Sequence, residues 1–151
     1  MLIFSISDRN KVLKEHKKIL SKCNYLCKQA IKILKIKKKY IFDCNVVNQR
    51  EMIKLNKKYH KKNNATNVLS FALNDAKTLK SNLLGEIYIC YEVCINEAKI
   101  KSMRFIDYFS FLFIHGLLHL FGYTHSTNKN WNLMTKLTNK ILKCNKHNHE
   151  K

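Results

Sequence analysis

The sequence predicts an α+β fold: a small mixed four-stranded sheet packed by helices, with a metal site on a helix of the C-terminal half and the turn after it. Short apolar or alternating runs predict strands, and apolar residues at spacings of three and four predict helices. Strands and helices alternate at first and helices follow, an order typical of α+β domains. With 151 residues, 46% of them hydrophobic, the chain can form a core, so we predict a single domain over residues 1–151.

Strands are predicted where runs rich in β-branched and aromatic residues stop at polar or charged residues. They span residues 2–7, 40–47, 67–73 and 84–90. Helices are predicted where apolar residues return every three or four positions, with lysines between them. They span residues 10–35, 49–60, 91–101, 108–121 and 128–143. Residues 63–64 are predicted to form a loop, and the polar residues 77–82 connect the last two strands.

The helix predicted over residues 108–121 leads into a pattern of three histidines, His115, His119 and His125. Residues four apart lie on the same face of a helix, so the imidazoles of His115 and His119 are side by side. Gly122 follows, and glycine tolerates the left-handed backbone that ends many helices. The chain can then reverse and return His125 to the other two. The spacing therefore predicts a site in which three nitrogens bind one metal ion.

This donor set favours a catalytic zinc ion over a structural one. Three neutral imidazoles leave the fourth tetrahedral position open for water, whose pKa the metal lowers from 15.7 to about 7. Metzincin proteases share the ligand spacing, but in them the residue after the first histidine is the Glu that serves as general base. Here that residue is Gly116, which cannot accept a proton. The sequence keeps the metal geometry of such a protease without its base.

The composition suggests an anionic partner. Lys and Arg number 29 against 10 Asp and Glu, which gives a net charge of +19 and a pI near 9.8. A strongly basic domain is typical of proteins that bind a polyanion such as RNA. Abundant Lys, Asn and Ile are also what an AT-rich genome produces, so part of the charge has a second explanation.

Cysteine usage and apolar segments predict a cytoplasmic location. The chain has six cysteines and shows no secretory signal, so we expect reduced, mostly buried thiols. The C-x3-C spacings at residues 23–27 and 90–94 differ from the C-x2-C of common zinc ribbons. The apolar stretch at residues 109–121 is shorter than a membrane span and contains two histidines, so we expect no membrane partner.

Residues 55–71, 84–87 and 115–125 together resemble the YbeY family of bacterial rRNA maturation factors. Residues 55–71, LNKKYH followed by TNVLSF, are similar to the family's L-N-x-x-Y-R and T-[DN]-V-L-S-F-P block. Residues 84–87, LGEI, are similar to its L-G-D-I strand. Residues 115–125, HGLLHLFGYTH, are similar to H-G-x-L-H-L-x-G-Y-D-H and are the most specific of the three. The likeness covers about residues 50–134.

The resemblance implies a single-strand-specific, metal-dependent endoribonuclease. Its role would be maturation of ribosomal RNA, at the 3′ end of 16S rRNA, and ribosome quality control. It implies one Zn²⁺ on His115, His119 and His125, with a cleft beside the metal between the sheet and residues 55–71. The implied partner is the RNA of the small ribosomal subunit, and the oligomeric state stays open.

Several positions depart from the family pattern. His60 stands where the family has Arg, Ala65 and Ala72 replace Pro, and Thr124 replaces the Asp before the last histidine, while Glu86 replaces an Asp conservatively. An Arg can clamp a phosphate with two parallel bonds, which an imidazole cannot do. Without Asp at position 124, a carboxylate that could support a metal ligand is lost. These changes bear on catalytic rate more than on fold or metal binding.

The segment around the end of the second helix carries the remaining site predictions. We predict His60 as a catalytic residue, either a general acid or a phosphate ligand. Lys57, Lys58, Lys61 and Lys62 are predicted to hold the RNA backbone without sequence preference, with a marked dependence on salt. The alternative reading is that these lysines form the solvated end of a helix.

Two other functions stay open. The first is a non-catalytic or weakly active metal-binding ribosome-assembly factor, which the departures at His60 and Thr124 motivate. The second is a metal hydrolase of a small substrate, which would turn over a small phosphoester and bind RNA weakly. Metal content, RNA binding and RNA cleavage, measured on one preparation, distinguish the three.

Overall fold

The computed structural model describes residues 1–73 and 81–143 and contains a four-stranded mixed sheet. The strands are β1 (Leu2–Ser7), β2 (Tyr40–Val47), β3 (Val68–Ala72) and β4 (Leu83–Cys90). Their order across the sheet is β1-β2-β4-β3. Strand β2 pairs in parallel with β1 and β4, whereas β3 is antiparallel to β4 and forms one edge. The α+β class and the mixed sheet predicted from the sequence are confirmed.

Helices follow the strands and cover the sheet. They are α1 (His16–Ile33), α2 (Gln49–His60), α3 (Tyr91–Ile100), α4 (Phe105–Leu120) and α5 (Asn128–Lys143). Helix α4 is apolar on nearly all sides, as expected of a helix inside a core, and contacts β3, β4, α1, α3 and α5. Phe113, Ile114, Leu117 and Leu118 have no exposed surface. The helix that carries two of the three histidines is therefore the centre of the core.

Helix α1 is shorter than predicted at both ends, beginning at His16 instead of residue 10. The Asp8 carboxylate accepts the backbone N–H groups of Val12 and Leu13 at 3.0 and 2.9 Å, and a carboxylate that binds nearby amides offers the backbone an alternative to the helix. Lys11 adopts a φ of 51°, which no helix contains. Lys35, with a φ of 54°, lies beyond the C-terminal end.

Helix α4 approaches the sheet closely at Gly116. A Cβ atom at this position would lie 2.8 Å from Cγ2 of Ile87 and 3.1 Å from Oγ of Ser70, whereas carbon atoms pack about 3.5–4.0 Å apart. The Ser70 hydroxyl donates a hydrogen bond to the Gly116 carbonyl at 3.2 Å. The missing side chain therefore lets the last turns of α4 lie directly against β3 and β4.

The opposite face of the sheet has a smaller core. Val47, Met52 and Cys90 are buried there beneath α2, with Leu69 and Tyr88 packed against them. The second core ties the end of β2 to α2. It thereby fixes where α2 ends relative to β3.

The described cysteines are buried free thiols. They are Cys23, Cys27, Cys44, Cys90 and Cys94. Burial raises the pKa of the Cys27 thiol to about 12, so this thiol is protonated and unreactive at neutral pH. Cys144 lies outside the described residues, as do residues 77–80 of the predicted connection. Among the helices of residues 1–73 and 81–143, none combines the length and the apolar character needed to cross a membrane.

Candidate metal centre

His115 and His119 lie one turn apart at the C-terminal end of α4. Their Nε2 atoms are 3.1 Å apart, and their ring centres are 4.7 Å apart with the planes at 82°. A tetrahedral ion with bonds of about 2.0–2.1 Å separates two ligand nitrogens by about 3.3 Å. The two imidazoles thus stand close to the separation that one ion requires.

The turn after α4 is a Schellman motif. Gly122 has a φ of 89°, its N–H donates to the His119 carbonyl at 2.9 Å, and the Tyr123 N–H donates to the Leu118 carbonyl at 3.0 Å. These two bonds satisfy carbonyls that the end of a helix otherwise leaves free. The left-handed backbone at Gly122 is the one predicted from the sequence.

The turn returns His125 to the two histidines of α4. Its ring centre lies 5.6 Å from that of His115 and 5.0 Å from that of His119. One potential ligand atom from each of the three residues falls within 4.8 Å of the other two. Within the described part of the chain, no other group of three His, Cys, Asp or Glu side chains converges in this way.

The protonation of the two helical histidines suits a metal ion. Burial, followed by the nearby imidazoles of His119 and His125, lowers the pKa of His115 to about 4. Burial also lowers the pKa of His119, opposed by its hydrogen bond to Tyr123 and assisted by His125. Nδ1 of His119 donates to the Tyr123 carbonyl at 2.8 Å, which leaves Nε2 with its lone pair free. Neutral imidazoles with a free nitrogen are the form that binds metals, so these residues fit a metal ion.

An open cleft of about 540 Å³ lies beside the histidines. Strand β3 and the segment that joins it to α2 supply much of its lining, including Asn64 and residues 66–70. The cleft therefore lies where the resemblance implied. No Asp or Glu is found among the described residues that line it, so the lining is neutral or basic and suits an anion.

Two of the five side chains predicted to act on RNA line this cleft. They are His60 and Lys62. Lys57, Lys58 and Lys61 are exposed at the end of α2 and do not line it. The structure therefore brings His60 and Lys62 into the same cleft as the histidine cluster, whereas the functional roles of all five stay predictions.

Sequence reasoning missed Asn56, a residue of α2 whose hydrogen bonds hold the segment that lines the cleft. Asn56 is 3% exposed, its Nδ2 donates to the Asn64 carbonyl at 2.8 Å, and its own carbonyl accepts the N–H groups of Lys61 and Lys62. Met52, also buried, lies one turn before it. That spacing was the available signal, because a buried polar residue on the apolar face of a helix needs partners.

A second missed residue is Asn67, which ties β3 to two helices. Its Nδ2 donates to Oε2 of Glu97 at 3.0 Å and lies 3.4 Å from the Tyr108 hydroxyl. The Tyr108 hydroxyl donates to the same Glu97 oxygen. No local signal could have shown this network, because its members are 30 and 41 residues from Asn67.

Thr124, which stands in place of the family's Asp, links the turn to α5. Its hydroxyl accepts from Nδ2 of Asn130 at 3.2 Å and lies 3.4 Å from the Ser126 hydroxyl. The Thr127 hydroxyl in turn accepts the backbone N–H of Asn130 at 3.1 Å, as an N-cap does. Thr124 thus anchors the segment that carries His125.

Comparison with known proteins gives consistent matches. A family model described as Endoribonuclease YbeY matches residues 5–146. The Endoribonuclease YbeY of Ureaplasma parvum is 39% identical over 109 residues, which are 72% of this chain and 70% of the relative. That of Malacoplasma penetrans is 35% identical over 134 residues, 85% of this chain and 89% of the relative. A solution structure of a Thermotoga maritima protein, 21% identical, covers 99% of this chain and 94% of its own with a TM-score of 0.63, a likeness in fold.

Proposed function

The chain belongs to the YbeY family of endoribonucleases, and on this premise we propose that it is a single-strand-specific, zinc-dependent endoribonuclease. We propose that its substrate is the ribosomal RNA of the small subunit, in maturation of the 16S 3′ end and in ribosome quality control, in the cytoplasm. The observation that carries the proposal is the convergence of three imidazoles, within 4.8 Å of one another, on a cleft with no carboxylate among the described residues that line it.

The three histidines would hold the metal, and each is prepared for that task. His119 is oriented by the Tyr123 carbonyl, His115 is neutral at physiological pH because of burial, and His125 is placed by the turn at Gly122. When bound, zinc supplies a Lewis acid for a phosphoryl oxygen and a water of lowered pKa. The remaining chemistry falls to side chains that bind and orient the RNA.

The cleft favours an unpaired strand. His115 and His119 are only partly exposed, so a phosphate must enter the cleft to reach them. A single strand can bend its backbone inward, whereas a duplex holds its phosphates on a stiff cylinder. Lys62 is in position to neutralise phosphate charge along the cleft, an interaction that weakens as salt rises.

His60 is the candidate proton donor. It is exposed at the end of α2 and lines the cleft, with its ring 6.4 Å from that of Phe71. From there it can donate a proton to the leaving oxygen or a hydrogen bond to a phosphoryl oxygen. His60→Gln keeps a hydrogen-bond donor and removes the imidazole that could transfer a proton. A loss of cleavage with unchanged RNA binding would assign proton transfer, and a loss of binding would assign the phosphate contact.

The test is cleavage of single-stranded ribosomal RNA by protein whose metal content is measured on the same preparation. The wild type is compared with His115→Ala, with a chelated sample and with His16→Ala, a histidine at the start of α1 outside the cleft. We expect the wild type and His16→Ala to carry about one zinc per chain and to cut, and the other two to lose zinc and cutting together.

Three results would count against the proposal, the first two against all of it and the third against one part. Zinc binding without cleavage would favour the ribosome-assembly factor, with the departures at His60 and Thr124 as the cause. Turnover of a small phosphoester with weak affinity for RNA would favour the small-substrate hydrolase. Cleavage of a duplex as fast as of a single strand would remove the strand specificity alone.

A further inference from the structure

A smaller pocket of about 180 Å³ adjoins the histidine cluster. His115 and His125 line both this pocket and the cleft, so their rings form a wall that the two cavities share. Phe111 on α4 and Trp131 and Met134 on α5 supply most of the remaining wall. The pocket is therefore mostly apolar and aromatic, and it opens one imidazole away from the candidate metal position.

Trp131 is the most unusual residue of this pocket. Its side chain is 54% exposed, although an indole is among the largest apolar groups a protein can bury. Its ring centre lies 5.6 Å from that of His125, with the planes at 68°, so the edge contact leaves indole surface open. An aromatic face open to solvent beside a candidate active site is what a stacking ligand requires.

The position of Trp131 is set by the start of α5. Its backbone N–H donates to the Thr127 carbonyl at 2.8 Å, and Thr127 caps the helix through Asn130. Asn130 also reaches back to Thr124, next to His125. The backbone of Trp131 and the turn that precedes His125 are therefore joined by one connected set of hydrogen bonds.

We propose that this pocket binds a nucleobase of single-stranded RNA that neighbours the phosphate at the histidine cluster, with Trp131 as the stacking surface. The inference rests on the proposed function and adds a base-binding subsite to it. Because the cleft and the pocket share His115 and His125, a phosphate bound at the histidines and a base bound in the pocket would belong to the same nucleotide or to adjacent nucleotides of the strand. The net charge of +19 makes RNA the favoured occupant over an apolar small molecule.

The dimensions of the pocket agree with a base. A cavity of about 150 Å³ is large enough for benzene, so 180 Å³ admits a six-membered aromatic ring. Phe111 extends the stacking surface, because its ring centre lies 5.9 Å from that of His115 with the planes at 29°. By contrast Tyr59, which is 52% exposed, already has Phe71 at 4.7 Å and lines neither cavity.

The first test uses the unmodified protein. Trp131 is the single tryptophan of the chain, so indole fluorescence, excited at a wavelength that the seven tyrosines do not absorb, reports on this pocket. Short single-stranded RNA is titrated into zinc-loaded protein, and binding is followed by fluorescence and by an independent method. The titration is repeated with RNAs that carry one abasic nucleotide, moved position by position along the strand. We expect quenching by intact RNA, and one abasic position that weakens binding and abolishes the quenching.

The second test combines that scan with substitutions. Trp131→Ala is expected to weaken RNA binding by about 5- to 150-fold, the measured range for one base stacked on an aromatic side chain. Trp131→Phe should recover most of the loss. Leu133→Ala, a 47% exposed apolar residue of the same helix that lines neither cavity, is the matched control and should bind like the wild type. On Trp131→Ala protein, the sensitive abasic position should have no further effect.

Failure of the subsite and failure of the proposed function give different results. If wild type cuts RNA but no abasic position alters binding or fluorescence, the subsite is wrong and the nuclease stands. A second outcome is that RNA quenches the Trp131 fluorescence and the sensitive abasic position has no further effect on Trp131→Ala protein, but no RNA is cut. In that case the subsite stands and the nuclease is wrong. If Trp131→Ala loses zinc, the abasic scan on wild type decides alone.

Discussion

Helices α4 and α2 both end beside the cleft, and the two ends are built differently. The end of α4 closes on Gly122, whose left-handed φ of 89° costs no side-chain clash. The end of α2 closes on Lys61, whose φ of 54° is also left-handed, although a residue with a Cβ gives up roughly 1–2 kcal/mol there. One end lies in the main core, and the other is exposed and depends on a single buried amide, Asn56.

Under the proposed function, the two sides of the cleft have different tasks. A metal ion tolerates little displacement of its ligands, so the side that carries His115 and His119 needs rigid packing around it. Charges that hold an RNA backbone act over several ångströms and need only to be near it. We therefore expect a substitution of a histidine at the α4 end to abolish metal binding. A substitution of a lysine at the α2 end should only weaken RNA binding.

The largest expected effect is on metal content. Removal of a direct ligand should cost more than the roughly 10- to 100-fold in affinity that loss of a supporting partner costs. His119→Ala should therefore lose at least about 100-fold in zinc affinity, and His60→Ala, on the other side of the cleft, should keep the wild-type value. Zinc competition with a chromophoric chelator measures both. Equal losses in the two variants would contradict the division between the two sides.

The two helix ends should respond to glycine exchange in opposite directions. Gly122→Ala puts a Cβ into the left-handed backbone and should destabilise the protein by about 1–2 kcal/mol. Lys61→Gly removes such a Cβ and should stabilise it by up to about 1 kcal/mol, less the added entropy of the unfolded chain. Urea unfolding of both variants gives the two free energies. A destabilised Lys61→Gly would show that this lysine side chain holds the turn.

A smaller effect is expected from the lysines. Lys62→Ala, inside the cleft, should lower RNA affinity a few-fold and reduce the slope of log K against log salt by about one unit. Lys58→Ala, whose ammonium lies 5.1 Å from the Tyr59 ring centre outside the cleft, should change the slope less. If the two slopes fall together, the RNA path extends along α2 and the cleft is only part of it.

A dependence of stability on pH is also expected in metal-free protein. The pKa of His115 is about 4 in the folded chain and about 6.5 when unfolded, so the unfolded state binds this proton more readily. Stability should therefore fall as the pH falls from about 6.5 towards 4, and level off below that. His115→Gln should show a flatter curve over this interval, and His16→Gln should keep the wild-type slope. A wild-type curve that rises on acidification would reverse the sign argued here.

The sequence was most informative where local pattern and final environment coincide. Strands β1 and β2 and helix α2 have the predicted bounds because apolar runs and polar breaks mark their ends. The histidine cluster was also predictable, since helical spacing and one glycine determine it. The predicted start of α1 was wrong because the Asp8 carboxylate accepts hydrogen bonds from backbone N–H groups that would otherwise belong to the first turn of a helix.

Features that depend on contacts between residues far apart in the chain could not be predicted from the sequence. The sequence gives no reason for β4 to lie between β2 and β3. The partners of Asn67 are far along the chain, and the pocket at Trp131 forms only when α5 packs beside the turn. The left-handed backbone at Lys11, Lys35 and Lys61 was not predicted, because the residue that usually signals it, glycine, is absent from these positions.

The short distance between Gly116 and the sheet limits which new activities this fold can acquire by mutation. A metzincin-type peptidase would need a glutamate at this position, and the histidine spacing invites the idea that one substitution would supply it. Any side chain there meets Ile87 and Ser70 within 2.8 and 3.1 Å, so the carboxylate would first have to displace a core isoleucine. A change from RNA cleavage to peptide hydrolysis would therefore require several substitutions that repack α4 against the sheet. A variant that carried the glutamate alone would be unstable.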